Sequence, residues 1–139
     1  MKIKLLLPLL LTFCFAQQVV TKTFMHDGSS RSYDLYLPKN YNPQQAVPLL
    51  FNFHGRGSNK QQQLFYGDFR PIADTAQFII CLPQGLNYQG SSHWNVGGFT
   101  QGSSVDDVDF TDSVLVRIKQ EYLIDEERVY STGMSNGGF

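Results

Sequence analysis

A serine flanked by glycines lies close to the last residue of the sequence. Residues Gly133 to Gly137 read G-M-S-N-G and match the pattern G-x-S-x-G, in which a serine nucleophile is exposed on a tight strand-to-helix turn. A serine hydroxyl is a weak nucleophile near neutral pH, so it needs a neighbouring base. An apolar strand precedes the motif, and residues 136–139 could begin a helix. We therefore predict that Ser135 is a catalytic nucleophile rather than part of a chance Gly/Ser turn.

A second segment, H-G-R-G-S-N at residues 54–59, directly follows an apolar run. In hydrolases with a G-x-S-x-G turn, such a loop supplies one backbone N–H of the oxyanion hole, and the residue after the serine supplies the other. These two donors stabilise the negative oxygen that forms when an ester carbonyl is attacked. We predict that the donors here are the backbone N–H groups of Arg56 and Asn136.

Three histidines occur in the chain, and all of them precede Ser135. When the nucleophile is a serine in such a turn, the catalytic acid (Asp or Glu) and then the histidine base come after it in the sequence. His54 belongs to the H-G-x-G loop, where a histidine more often shapes the loop through a buried hydrogen bond than acts as the base. Nothing in the sequence places His26 or His93 beside the serine. We therefore expect the catalytic acid and base to lie beyond Phe139.

Four other residues could take part in chemistry or substrate binding, but each also has a structural interpretation. Asp106 and Asp107 could be paired catalytic carboxylates or metal ligands, but Ser104 to Asp107 matches a helix capping box, which favours capping and macrodipole roles. Trp94 is a candidate substrate contact that could stack on an aromatic ring or a sugar. It could equally pack over the sheet edge. Cys81 lies in an apolar run and is interpreted as a small buried hydrophobe.

Several function classes lack support in the sequence. The 11 Lys and Arg residues nearly balance the 12 Asp and Glu residues, so charge does not indicate a nucleic-acid or anionic membrane partner. We find no G-x-G-x-x-G after a strand, no P-loop and no zinc-ligand spacing, so no cofactor and no metal are expected. The sequence leaves the oligomeric state open.

The pattern of apolar residues predicts a set of strands followed by a strand–helix alternation. The expected strands are residues 18–25, 32–37, 47–53, 78–82 and 128–132, and the expected helices are 70–77 and 105–122. The first two strands would form an antiparallel hairpin that turns at Gly28. The long helix is expected to bury a stripe of Val108, Leu115, Ile118 and Tyr122. Residues 60–67 lack a clear period, and residues 86–103 are interpreted as a loop.

The alternation predicts an α/β fold with a mostly parallel sheet. Ser135 would then follow the carboxyl end of a strand, where open α/β sheets place their active sites.

Residues 1–16 have the order of a secretory signal peptide. A short basic start precedes the apolar run LLLPLLLTF, and Ala16 provides a small residue at the cleavage site. The run is too short to span a bilayer. We therefore expect a secreted protein, extracellular or periplasmic, without membrane association after cleavage. Lipid anchoring at Cys14 is a minor alternative because Phe13 is bulky where a small residue is preferred.

The sequence resembles the secreted polyhydroxybutyrate-depolymerase-like and feruloyl esterases of the α/β-hydrolase superfamily. The resemblance spans almost the whole of residues 17–139 in the order and spacing of that family. It is carried by RSYDLYLPKNY (31–41), PLLFNFHGRGSN (48–59), IADTAQFIICLPQG (72–85), HWN (93–95), VDDVDF (105–110) and YLIDEERVYSTGMSNGGF (122–139).

This resemblance implies an α/β-hydrolase fold and hydrolysis of carboxylic esters through a Ser-His-Asp triad and an acyl-enzyme. It implies substrates such as hydroxycinnamoyl or acetyl esters of plant polysaccharides, or short polyesters. Ser135 matches the nucleophile position, and Arg56 and Asn136 match the oxyanion positions.

Domains of this kind run to about 200–250 residues. Residues 17–139 are therefore expected to be the N-terminal half of a catalytic domain, truncated after the nucleophile elbow, and this chain alone is expected to show little activity. The alternatives are a non-catalytic remnant, a carbohydrate-binding protein, or a serine peptidase or acyltransferase on the same fold.

Overall fold

The computed structural model of the chain describes residues 19–139. The predicted signal peptide at residues 1–16 and the alternative anchor at Cys14 lie outside the described residues. Within residues 19–139, no helix is both long enough and apolar enough to cross a membrane.

The chain alternates strands and helices after an initial hairpin. The strands are β1 (Val19–His26), β2 (Ser29–Tyr36), β3 (Val47–Phe53), β4 (Ile79–Pro83), β5 (Asn87–Tyr88), β6 (Ser91–Ser92) and β7 (Ile124–Gly133). The helices are α1 (Lys60–Tyr66), α2 (Arg70–Ala76) and α3 (Asp107–Glu121), with short 3-10 turns at Gly98–Thr100 and Ser135–Gly138. The segment expected to be a loop thus contains the β5–β6 ribbon and a 3-10 turn.

The main sheet has the strand order β1-β2-β4-β3-β7. Strand β2 runs antiparallel to both β1 and β4, whereas β3 is parallel to β4 and to β7. The hairpin turns through Asp27 and Gly28, whose φ angles of 46° and 69° are both positive, as the tightest hairpin loops require. The structure thus confirms the predicted α/β sheet with its N-terminal antiparallel hairpin.

Helices cover both faces of this sheet. On one face, buried side chains of α3 meet apolar residues of the central strands; this cluster includes Phe110, Val114, Ile118, Leu49, Phe51 and Ile79. On the other face, Ala73 of α2 packs with Tyr36, Ile80 and Leu82, and Leu64 of α1 is partly buried against them. Burial on both faces explains why β3 and β4 read as almost continuous apolar runs.

Helix α3 differs from its sequence prediction at both its start and its buried face. Asp106, rather than Ser104, is the N-cap, because its carboxylate accepts a hydrogen bond from the N–H of Asp109. Val108, expected in the buried stripe, is 73% exposed. Ile118 is buried as predicted, and Leu115 and Tyr122 are partly buried against the core. The helix also buries Phe110 and Val114, and Asp107 in the first turn is held inward by an ion pair with Arg31.

Helix α1 occupies the segment in which the sequence showed no clear period. Asn59 caps it by accepting a hydrogen bond from the N–H of Gln62. Its buried residues are Lys60 and Gln63, not apolar side chains. Lys60 pairs with Asp34, and Gln63 donates to Asn52 Oδ1 at 2.7 Å. Because these buried residues are polar, hydrophobic periodicity could not identify the helix.

Cys81 lies in β4 and is fully buried, as predicted. Burial raises the pKa of its thiol well above the ordinary value, because the thiolate would be desolvated. The residue therefore packs as an apolar side chain and has no thiolate character.

Candidate active site

Ser135 is exposed on a strained turn directly after β7. Its φ angle is 50°, a left-handed conformation that residues other than glycine rarely adopt. Ser135 begins a 3-10 turn, which is closed by a hydrogen bond of 2.9 Å from the N–H of Gly137 to the carbonyl of Met134. The strand, the sharp bend and the helical turn together have the geometry of a nucleophile elbow, and the role of Ser135 as the nucleophile stays a prediction.

The two glycines of the motif are required by close backbone packing. A Cβ at Gly133 would lie 2.0 Å from the carbonyl oxygen of Gly137. A Cβ at Gly137 would lie 2.5 Å from the carbonyl oxygen of His54. No side chain fits at such distances, so both positions demand glycine. The motif is therefore part of the structure of the turn, not a chance cluster of small residues.

The H-G-R-G loop lies against the elbow because β3 and β7 are neighbours in the sheet. The N–H of Met134 donates to the carbonyl of Phe53 at 3.1 Å, and a Cβ at Gly55 would lie 3.7 Å from Ser135 Cβ. The two segments predicted to supply the oxyanion donors therefore meet beside Ser135.

The two backbone N–H groups predicted to be oxyanion donors do not donate hydrogen bonds to the backbone around them in residues 19–139. The N–H of Gly57 donates to Ser92 at 2.9 Å, whereas that of Arg56 makes no hydrogen bond within the described part of the chain. Asn136 stands in the first turn of the 3-10 segment, whose early N–H groups have no partner inside the helix. Their role as oxyanion donors stays a prediction.

The side chain of Asn136 holds the elbow to the loop that carries Trp94. Its Oδ1 accepts from the Trp94 N–H at 2.8 Å, and its Nδ2 donates to the Trp94 carbonyl at 3.0 Å. Asn136 is 1% exposed, so both hydrogen bonds are shielded from water. No local pattern in the sequence indicates this contact, because the two residues are 42 positions apart.

Trp94 packs beneath the site and contacts protein groups. The indole Nε1 donates to the carbonyl of His54 at 2.7 Å. The ring meets Phe53 edge to face at a centroid distance of 5.1 Å, and the residue is only 4% exposed. These contacts favour the packing interpretation, and a stacking contact with substrate stays a prediction.

His54 is a buried neutral histidine that shapes its loop. Its Nε2 accepts a hydrogen bond of 3.0 Å from the N–H of Gly85, which leaves Nδ1 to donate to the carbonyl of Gly55 at 2.8 Å. Burial lowers the pKa of His54 because the imidazolium would be desolvated. Both ring nitrogens are occupied, so the structure agrees with the prediction that His54 does not act as the base.

The other two histidines are also not placed to take a proton from Ser135. His93 is fully buried, with Nδ1 2.8 Å from the carbonyl of Leu86 and Nε2 2.7 Å from Ser103 Oγ. His26 ends β1, which forms the opposite sheet edge from β7. Among the histidines of residues 19–139, none therefore lies positioned to activate Ser135.

Asp107 connects α3 to the site. One carboxylate oxygen accepts from the Arg31 guanidinium at 2.7 Å, and the other accepts from the N–H of Asn95 at 2.8 Å. The Arg31 guanidinium also lies 3.5 Å from the centroid of the Phe110 ring. Asp107 thus fixes the residue next to Trp94. Asp106 is the helix cap, and both findings favour structural roles over an acid/base pair.

A cavity of about 580 Å³ lies beside the elbow, between α3 and the end of β7. Its lining includes Trp94, Thr111, Ser131, Gly133, Asn136 and Phe139.

Phe99 is 53% exposed, and the Arg56 guanidinium lies 5.8 Å from the centroid of its ring. An aromatic ring and a cation are therefore exposed near the H-G-R-G loop.

The chain is similar in sequence to known esterases. It is 32% identical to feruloyl esterase D of Neurospora crassa over 130 residues, which cover 85% of the chain and 41% of that protein. It is 31% identical over 111 residues to a bifunctional acetylxylan esterase/xylanase of Neocallimastix patriciarum, covering 80% of the chain and 15% of that protein. No protein-family model matches the chain.

Solved structures show the same fold. A ferulic acid esterase matches with a TM-score of 0.64 and 23% identity, over 88% of the chain and 52% of that structure. A ferulic acid esterase from Anaeromyces mucronatus, solved with ferulic acid, matches with a TM-score of 0.65 and 16% identity, over 87% of the chain and 50% of that structure. An S-formylglutathione hydrolase from Agrobacterium tumefaciens matches with a TM-score of 0.68 and 13% identity, over 90% of the chain and 53% of that structure.

These similarities confirm the predicted resemblance to feruloyl esterases and the α/β-hydrolase fold. The chain spans less than half the length of these two curated relatives and about half of these three solved structures.

Proposed function

We propose that the chain carries the nucleophile and the oxyanion hole of a secreted serine esterase that cleaves carboxylic esters. The substrates would be feruloyl or acetyl esters of plant polysaccharides, with short polyesters as a further class. Relatives named as feruloyl and acetylxylan esterases support this proposal. The signal-like residues 1–16 support export.

One observation carries the proposal. Ser135 is exposed at a φ of 50° after β7, and Gly137 lies so close to the carbonyl of His54 that only a glycine fits. The nucleophile and the H-G-R-G loop are thereby locked together by backbone contact. A hydrolase with this geometry needs both segments side by side, because the attacked carbonyl must reach the hydroxyl and the N–H donors at once.

The reaction would proceed in two steps. Ser135 Oγ attacks the ester carbonyl while a base takes its proton, and the alcohol leaves with a proton to give an acyl-enzyme. Water, activated by the same base, then attacks the acyl carbonyl and releases the acid. The N–H groups of Arg56 and Asn136 would stabilise the oxyanion in both steps, and losing one such donor typically costs about 3–4 kcal/mol. The base and its acidic partner would be supplied from beyond Phe139.

Active-site labelling of the full-length gene product tests this proposal. A fluorophosphonate probe should form a covalent adduct that peptide mapping places on Ser135, and Ser135→Ala should abolish both the adduct and hydrolysis of methyl ferulate. Ser30→Ala, an exposed serine on β2 away from the elbow, is the control and should retain both. Hydrolysis by Ser135→Ala at the unaltered rate would refute the assignment. A panel of methyl ferulate, acetylated xylan and hydroxybutyrate oligomers then separates the substrate classes.

The 139-residue chain alone provides a second test. Because its described histidines are engaged elsewhere or lie at the far sheet edge, only the weak catalysis due to oxyanion stabilisation and binding is expected. Stopped-flow assays should show no burst of nitrophenol from nitrophenyl acetate. A stoichiometric burst would mean that the base lies within this chain.

A further inference from the structure

A histidine and two aspartates converge at the turn between β1 and β2. His26 Nε2 lies 3.6 Å from an oxygen of Asp27 and 3.4 Å from an oxygen of Asp109. One donor atom from each of the three residues lies within 4.8 Å of the other two. Asp27 belongs to the hairpin turn and Asp109 to the first turn of α3, so the cluster joins two elements that are distant in sequence.

The imidazole of His26 is buried, yet its Nε2 has no hydrogen-bond partner among residues 19–139. The side chain is only 8% exposed, whereas the side chains of Asp27 and Asp109 are 72% and 62% exposed. The ring is held by Phe110 and Phe24, at centroid distances of 5.7 Å and 6.1 Å. A buried polar atom without a partner is costly, and this one points at two carboxylates.

We propose that His26, Asp27 and Asp109 bind a divalent transition-metal ion, with Zn²⁺ as the best fit. An imidazole nitrogen with two carboxylate oxygens is a donor set suited to Zn²⁺. In a tetrahedral site with bonds of about 2.0–2.2 Å, neighbouring ligand atoms lie roughly 3.3–3.6 Å apart. The separations at His26 Nε2 match this spacing. The exposed carboxylates leave the fourth position open to water.

The surrounding charge favours a cation. Asp106 lies beside the cluster as the N-cap of α3 and adds a further carboxylate. Two cations lie nearby. Arg31 is paired with Asp107 and so is compensated, and the Arg117 guanidinium lies over the Phe24 ring, 4.1 Å from its centroid. The N-terminal dipole of α3 opposes a cation, but it is equivalent to about half a positive charge, less than one of these carboxylates.

The position of the site indicates a structural role. Strand β1 lies four strand spacings from β7, or about 19 Å across the sheet. The ion would therefore not contact Ser135. It would instead fasten the β1–β2 turn to the start of α3 and stabilise the folded chain when bound.

Isothermal titration of the metal-free 139-residue chain with ZnCl2 tests the proposal. We expect one equivalent to bind, and Asp109→Asn and His26→Gln should each weaken the affinity by more than about tenfold, since each removes a ligand. Asp112→Asn, an exposed acid on the same helix, is the matched control and should bind as the unaltered chain does. Absence of stoichiometric binding, or equal affinity in Asp109→Asn, would overturn the proposal.

A spectroscopic measurement keeps the test independent of folding in the His26 variant. The chain loaded with Co²⁺ should give the visible absorption of a tetrahedral site, and Asp27→Asn should alter it while Asp112→Asn should not. X-ray absorption of the Zn²⁺-loaded chain should show one imidazole and oxygen ligands. A first shell without imidazole, or binding of Ca²⁺ in preference to Zn²⁺, would contradict the assignment. These readouts are independent of esterase activity.

Discussion

At the scale of single residues, the elbow is built from backbone proximity. At Gly133 and Gly137 the neighbouring backbone is too close for any Cβ. At Gly55 a Cβ would fit only if the neighbouring atoms of Met134 moved slightly. Asn136 is buried and pairs with both backbone groups of Trp94. The strained Ser135 is held by these contacts, which over-determine its conformation.

Gly137→Ala should lower the free energy of unfolding by about 2–3 kcal/mol, because its Cβ would force two backbone segments apart. Gly90→Ala is the matched control. No atom lies within 4 Å of a Cβ at Gly90, so only the strain of its φ of 78° remains, at about 1 kcal/mol. Urea denaturation of both variants measures the difference. Equal losses would show that the close approach at Gly137 is not what requires glycine.

His54 should make stability dependent on pH below neutrality. Its pKa is lowered in the folded chain, so as the pH falls below about 6.5 the unfolded chain binds a proton that the folded chain does not. The free energy of unfolding then decreases, by at most about 1.4 kcal/mol per pH unit. His54→Gln should be less stable at pH 7.5 but should lack this contribution. Parallel stability curves between pH 7.5 and 5.5 would contradict this expectation.

At the scale of elements, α3 is oriented by a charged contact as well as by its apolar stripe. Arg31 and Asp107 are both buried, and Asp107 also accepts a hydrogen bond from Asn95. This ion pair joins β2, α3 and the Trp94 loop. The exposed position of Val108 is a consequence, since the first turn of the helix directs Asp107 inward instead.

Asp107→Asn should destabilise the chain by about 3–5 kcal/mol, because the buried Arg31 charge loses its counter-ion. Asp112→Asn, exposed on the same helix, should change stability by less than about 0.5 kcal/mol. The double replacement Arg31→Met and Asp107→Leu should recover much of the loss by removing both charges. Thermal and urea unfolding measure these effects. A loss in the double variant equal to the sum of the single losses would contradict a coupled pair.

At the scale of the whole molecule, β7 is the sheet edge next to the elbow. Within residues 19–139 it hydrogen-bonds to β3 on one side, and half of its ten residues are exposed. Leu123, Tyr130 and Phe139 are large hydrophobic side chains exposed in this region. An unprotected edge with apolar neighbours promotes pairing with other chains.

We therefore expect the 139-residue chain to self-associate, and Tyr130→Lys should reduce this association by placing a charge on the edge strand. Phe65→Lys is the matched control, since it introduces the same charge at an exposed aromatic residue on α1. Light scattering over a concentration series measures the association. Equal reduction by both variants would indicate a general charge effect rather than pairing through β7.

Local patterns in the sequence were sufficient to predict much of the fold and to locate the G-x-S-x-G turn that carries Ser135. The hairpin turn, the apolar strands and the G-x-S-x-G turn depend on neighbouring residues, so their physical causes are local. Helix α1 could not be found in this way, because the residues that bury it, Lys60 and Gln63, are polar and find partners in distant strands.

The sequence by itself determined that Ser135 stands on a strained turn at the end of a strand, because glycine spacing and apolar runs encode that turn locally. Only the tertiary structure decided how the turn is supported. The Asn136–Trp94 pairing, the inward turn of Asp107 and the meeting of His26 with Asp109 each join residues tens of positions apart. Such contacts depend on strand order and helix rotation, which emerge when the whole core packs and which no local pattern specifies.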